Sequence, residues 1–257
     1  INQGNNIYNS QTISNGDFNY INYFDYDNDG DIDFFINKGT TLNNLNNRIY
    51  INNNLSFTSN IININDGLIL DNGNDNYFTG DKVQYTDINN DNLKDFIYCT
   101  DNRIGYLKNT TNNQFKSVIV SDFSMGYATV GDLDNDNFID IIVKESSNNT
   151  NPTKISWFKN KGNLGFTQNM LVEDVGIGLS DDALKIDCGD INNDGQLDLL
   201  TGKFYYYLQT GNVNFTTTIY NGLYPSYLVD YDYDNDLDII GFNFNKCNVV
   251  KWVAAND

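Results

Sequence analysis

Asp132-Leu-Asp-Asn-Asp-Asn-Phe-Ile-Asp140 is the stretch that decides the fold, because the same nine-residue pattern occurs in four other places. The other copies are Asp25-Tyr-Asp-Asn-Asp-Gly-Asp-Ile-Asp33, Asp87-Ile-Asn-Asn-Asp-Asn-Leu-Lys-Asp95, Asp190-Ile-Asn-Asn-Asp-Gly-Gln-Leu-Asp198 and Asp230-Tyr-Asp-Tyr-Asp-Asn-Asp-Leu-Asp238. All five align without gaps on D-x-[DN]-x-D-[GN]-x-x-D. In chain order they are called loops 1 to 5.

Calcium chemistry accounts for every fixed position. The ion takes six to eight oxygen ligands, and oxygens at alternate positions of one short loop can wrap it. Positions 1, 3 and 5 supply Asp25, Asp27 and Asp29; Asp87, Asn89 and Asp91; Asp132, Asp134 and Asp136; Asp190, Asn192 and Asp194; and Asp230, Asp232 and Asp234. Position 7 would add a backbone carbonyl, from Asp31, Leu93, Phe138, Gln196 or Asp236, and position 9 a carboxylate, from Asp33, Asp95, Asp140, Asp198 or Asp238. Position 6 is always Gly or Asn, the residues that turn cheaply into positive φ. An Asp/Asn-rich chain can produce one such string by chance, but not five with every ligand position filled. The sequence thus predicts up to five Ca²⁺, which would move the formal charge from −19 to −9.

Spacing then sets the architecture. The loops begin at 25, 87, 132, 190 and 230. Each is followed by an apolar run and then by a strand carrying one aromatic: Tyr50, Tyr106, Trp157, Tyr207 or Trp252. A third strand opens near Phe57, Phe115, Phe166 or Phe215, and a fourth leads into the next loop. Four short strands per 40 to 60 residues is the size of a propeller blade. The expected fold is therefore all-β: a single domain over 1–257, a five-bladed propeller of four-stranded blades. The last blade lacks a strand, and the segment from Gly4 to Ser14 resembles Gly162 to Val172. It is expected to complete the C-terminal blade and close the ring, removing exposed sheet edges.

Composition excludes several functions. The chain has 257 residues, a formal charge of −19 and no histidine. Triad hydrolysis and zinc chemistry that need imidazole are out, and such a charge repels nucleic acid. There is no apolar run of 18 residues, so no membrane insertion is expected. The chain has 47 asparagines and 32 aspartates, a surplus that favours turns over helices. The three cysteines, Cys99, Cys188 and Cys247, lack metal-site spacing and are expected to be small buried residues. Because it starts at Ile1, the chain is expected to be a mature fragment or an excised domain.

The loops, together with Ile155-Ser-Trp-Phe-Lys-Asn-Lys-Gly-Asn-Leu-Gly-Phe-Thr167, resemble the FG-GAP/VCBS repeats of integrin-α-like β-propellers. The resemblance covers nearly the whole chain. It implies an extracellular or cell-surface module with one calcium per repeat loop, of a kind that often serves adhesion and sometimes binds sugars. The usual integrin-type ring has seven blades, so five is a departure.

Function is expected to be binding: a glycan in a lectin-like or adhesive role, or alternatively a protein partner on a scaffold domain of a larger surface protein. Candidate ligand-binding residues are Asp71, Asp75 and Tyr77 in an insertion, Tyr227, and the aromatics Tyr106, Trp157, Tyr207 and Trp252. Aromatic faces suit stacking on sugar rings, but the per-blade aromatics sit inside apolar strands and are expected chiefly to pack between blades. A polysaccharide hydrolase or lyase is a third reading. It needs paired carboxylates, and the only glutamates, Glu145 and Glu173, sit in no catalytic string. No enzymatic activity is expected. An extracellular or cell-surface location follows from the metal, since weak loops fill only where free calcium is high.

Overall fold

The computed structural model describes residues 12–13, 20–37, 47–61, 63–64, 84–99, 103–111, 114–122, 126–145, 154–173, 186–201, 205–219, 224–243 and 246–250. These residues are all-β apart from one 3₁₀ turn at Gly162–Leu164. They form five sheets, and strands joined by each loop pair antiparallel. The chain packs as two compact units, Ile1–Tyr77 with Asn109–Ser117, and Phe78–Lys108 with Val118–Asp257.

The first unit holds a four-stranded meander: β1 (Tyr20–Phe24), β2 (Asp33–Asn37), β3 (Asn47–Asn53) and β4 (Ser56–Ile61). Loop 1 joins β1 to β2. A short β5 (Asn63–Ile64) runs parallel to the start of β9 (Gln114–Asp122). β5 is the edge strand of a sheet of order β5-β9-β8-β7-β6, of which β6 (Gln84–Thr86), β7 (Asp95–Cys99) and most of β8 (Arg103–Thr111) belong to the second unit.

Two more meanders lie in the second unit. One is β10 (Gly126–Gly131), β11 (Asp140–Glu145), β12 (Lys154–Asn160) and β13 (Phe166–Glu173). The other is β14 (Ile186–Gly189), β15 (Asp198–Thr201), β16 (Tyr205–Gln209) and β17 (Phe215–Ile219). A last sheet of three strands, β18 (Tyr224–Val229), β19 (Asp238–Asn243) and β20 (Lys246–Val250), ends the described chain. The segment expected to complete it lies outside the described residues, apart from Thr12 and Ile13, which are in no strand.

The strand after each loop is the most deeply covered. Every residue of β7 and β15 is buried, as are the first five of β11. A strand covered on both faces needs an unbroken apolar run, and Ile141-Ile-Val143 and Phe96-Ile-Tyr98 provide one. The outer β9 instead alternates, with Phe115 and Ser117 buried and Lys116 exposed.

Within the second unit, three clusters show how successive sheets stack. Ile88, Ile97, Ile104 and Tyr106 pack with Ile141, Val143 and Phe158. Leu133, Ile142, Ile155 and Trp157 pack with Ile186, Leu199 and Tyr207. Ile191 and Leu200 pack with Ile239. Each loop joins two antiparallel neighbours at one end of its sheet: β1 to β2, β6 to β7, β10 to β11, β14 to β15 and β18 to β19.

Candidate functional site: five aspartate loops

Each loop is wound on its own carboxylates. In loop 3, Asp132 accepts the N–H groups of Asp136 (2.9 Å) and Asn137 (2.7 Å), and Asp136 accepts that of Phe138 (3.0 Å). The same bonds recur from Asp25 and Asp29 in loop 1, Asp87 and Asp91 in loop 2, Asp190 and Asp194 in loop 4, and Asp230 and Asp234 in loop 5. Position 6 has positive φ in every loop: Gly30 at 89°, Asn92 at 66°, Asn137 at 67°, Gly195 at 82° and Asn235 at 73°. Position 4 is left-handed as well, at Asn28, Asn90, Asn135, Asn193 and Tyr233, with φ between 57° and 63°.

Position 9 is the buried post of the loop. Asp33, Asp95, Asp140, Asp198 and Asp238 are all 0% exposed. In loop 3, Asp140 accepts Leu133 N–H through Oδ2 (3.1 Å) and Asn160 N–H through Oδ1 (2.7 Å), tying position 2 to the end of β12. Asp33 does the same with Tyr26 (2.6 Å) and Asn52 (2.8 Å), and Asp198 with Ile191 (2.9 Å) and Gln209 (2.7 Å). Burial lifts Asp140 and Asp198 to about 6, against the backbone N–H bonds that favour the charged form.

A second set of residues, missed in the sequence reading, clamps the loops from the strand that follows. Asn160 donates to Ile139 O in its own loop (2.9 Å) and to Ile88 O in loop 2 (2.7 Å), and accepts Gly162 N–H (2.9 Å). Gln209 likewise joins Leu197 O (2.9 Å) to Leu133 O of loop 3 (3.2 Å). Asn52 donates to Ile32 O (3.2 Å), and Asn109 is buried at the corresponding place. Neighbouring loops also touch through position 4. Asn90 donates to Asn137 O (3.2 Å), Asn135 to Gly195 O (3.4 Å) and Asn193 to the Asp236 carboxylate. At position 8, Leu197 and Leu237 lie against Gly131 and Gly189, where a Cβ would stand 2.5 Å from the leucine methyl in each case. The only sequence signal for this second set was an amide at the end of the aromatic strand.

The donor set suits a hard cation. In loops 1, 3 and 5 the carboxylates at positions 1, 3 and 5 each offer an oxygen within 4.8 Å of the others. Two position-3 oxygens, Asn89 Oδ1 and Asp134 Oδ1, are buried and accept no hydrogen bond. Acceptors left in that state call for a donor or an ion. Burial and the neighbouring Asp29 and Asp33 carboxylates raise the pKa of Asp27, a repulsion that a divalent ion would reverse.

Of the candidate ligand-binding residues, Tyr106, Trp157 and Tyr207 lie in the clusters between sheets, at most 9% exposed. Tyr227 is 40% exposed. Asp71, Asp75, Tyr77 and Trp252 lie outside the described residues. Among the described residues, three other tyrosines stand out in solvent: Tyr23, Tyr231 and Tyr233, the last 89% exposed. Glu145 accepts the Ser156 hydroxyl (2.9 Å).

Loops 2 and 3 lie in the stretch of chain that matches a known repeat family. Residues 87–143 match the FG-GAP-like repeat. That match takes in both loops together with β7 to β10. No curated protein matches the chain. Among solved structures the fold is similar to that of an Agrocybe aegerita lectin described as specifically recognising non-reducing terminal N-acetylglucosamine. The likeness has a TM-score of 0.60 and 17% identity over 86% of this chain and 60% of that one. A segment of the Photorhabdus luminescens Tc holotoxin pore is similar as well, with a TM-score of 0.50 and 13% identity over 95% of this chain and 11% of the other. The chain thus spans about 60% of the lectin chain and a small part of the toxin.

Proposed function

We propose that this chain is a calcium-stabilised glycan-binding module of an extracellular or cell-surface protein, without catalytic activity. The observation that carries the glycan reading is the likeness of fold, over 86% of the chain, to a lectin for terminal N-acetylglucosamine. Asn89 and Asp134, with their orphaned position-3 oxygens, and the carboxylate triads support calcium in the loops. The five sheets in chain order support five blades of one propeller; in this reading the segment 4–14 would pair with the last sheet and close the ring.

In this reading the metal holds the fold and the exposed aromatics meet the sugar. Calcium would neutralise each aspartate cluster and fix the connection between the first two strands of a blade. Tyr23, Tyr227, Tyr231 and Tyr233 offer flat faces with a hydroxyl edge, which suits stacking on a pyranose ring. A second reading, a protein-binding segment of a larger assembly, is favoured by the likeness to one part of a holotoxin pore.

A glycan array probed with the purified chain, in calcium and in EDTA, tests the proposal. Selective binding to N-acetylglucosamine-terminated or related glycans, lost in EDTA, is the expected outcome. A blank array from folded, calcium-loaded protein overturns the glycan reading and leaves the protein partner.

A further inference from the structure

The residue just before the amide clamp differs between loops. It is Ile51 beside loop 1 and Leu208 beside loop 4, but Lys108 beside loop 2 and Lys159 beside loop 3. Both lysines turn onto the carboxylates that would hold the metal. Lys108 Nζ lies 3.1 Å from Asp91 Oδ2. Lys159 Nζ bridges two ligands, pairing with Asp134 Oδ2 and lying 3.0 Å from Asp136 Oδ2. Its ammonium also stands 5.6 Å from the centre of the Trp157 ring. The partners are a quarter or less exposed at Lys159 and Asp134, so the pair is only partly screened by water.

Resting on the calcium reading above, we propose that Lys159 is a tethered competitor for the cation of loop 3. Lys108 plays the same part, more weakly, in loop 2. An ammonium and a calcium ion both seek the Asp134 and Asp136 oxygens, and the two cannot hold them together. Entry of the metal therefore requires the lysine to swing out, at the expense of two ion pairs and an aromatic contact. Loop 1, with three clustered carboxylates and Ile51 in the equivalent place, has no such step. The calcium sites are consequently graded: loop 1 fills first and loop 3 only at higher calcium, although both carry aspartates at positions 1, 3, 5 and 9. Below that concentration loop 3 stays ordered on its own lysine.

Trp157 makes loop 3 readable by itself. Tb³⁺ taking the place of calcium there would be sensitised by the adjacent indole, and Trp157→Phe identifies that signal by removing it. Titration of the full chain with Tb³⁺, excited through tryptophan, is expected to show a midpoint lowered about fivefold in Lys159→Met and Lys159→Gln. Lys159→Arg should keep the original midpoint. Calorimetry with calcium should show the weakest class of sites tightening in the same two variants. Unchanged midpoints in both neutral variants, with calcium still bound by calorimetry, overturn the inference alone. No binding of either ion by the unaltered chain overturns the calcium reading with it.

Discussion

Asp134 and Asp140 occupy one loop and do different work. Asp140 spends both oxygens on backbone N–H groups in a fully buried place, whereas Asp134 keeps one buried oxygen without a donor. Asp140→Ala strands two buried donors and should cost about 3 kcal/mol or more even in EDTA. Asp134→Asn should lose stability mainly in calcium; urea midpoints under both conditions separate the two roles. The titration of position 9 adds a pH test. With Asp140 and Asp198 raised to about 6, the folded metal-free chain takes up protons that an unfolded carboxylate, near roughly 4, does not. Metal-free stability should therefore rise as pH falls through that window, whereas calcium-loaded stability should fall, because the ion binds the ionised form. Parallel melts in EDTA and calcium check both signs. Tyr233 holds φ at 63° where the other loops have asparagine, a conformation that costs a bulky residue about 1 kcal/mol. Tyr233→Asn is expected to raise the melting temperature by a few degrees. If Tyr233 also meets the sugar, the same change weakens binding.

The loop and its clamp form the working element. Asn160 satisfies carbonyls in two successive loops, so Asn160→Ala should lower stability by about 2 kcal/mol and loosen loop 2 as well as loop 3. A calcium titration would show that loosening as reduced cooperativity; an unchanged titration curve would limit the clamp to a local role. Position 6 and the alternating oxygens were legible in the sequence because their partners lie within the same nine residues. The clamps were not, since Asn160 and Ile88 meet across 72 positions and Gln209 and Leu133 across 76. The per-sheet aromatics show the same limit. Tyr106, Trp157 and Tyr207 read foremost as packing, with a sugar platform as the alternative, and the stacked sheets placed them inside.

At the scale of the whole molecule, the metal is the proposed brace. A ligand that binds only the folded state, at a hundred times its Kd, adds about 2.7 kcal/mol, or roughly 5–10 °C for a chain of this size. Several filled loops should therefore give a melting temperature that drops far more than that in EDTA and recovers on adding calcium. A metal-free melt matching the calcium-loaded one would remove calcium from the account.

What the sequence determined by itself is the repeated, oxygen-rich loop, the all-β class and the order of strands around each loop. Those features depend on neighbours close in the chain: turn propensity, alternate oxygens and short apolar runs. Tertiary structure decided the rest. It buried the ninth aspartate against two backbone donors, joined one loop to the next through Asn160 and Gln209, and left Tyr231 and Tyr233 in solvent. It also brought Lys159 onto Asp134, 25 residues away. The partners in these contacts are set by which sheet stacks on which, and pairing over such distances leaves no periodic trace in a single sequence.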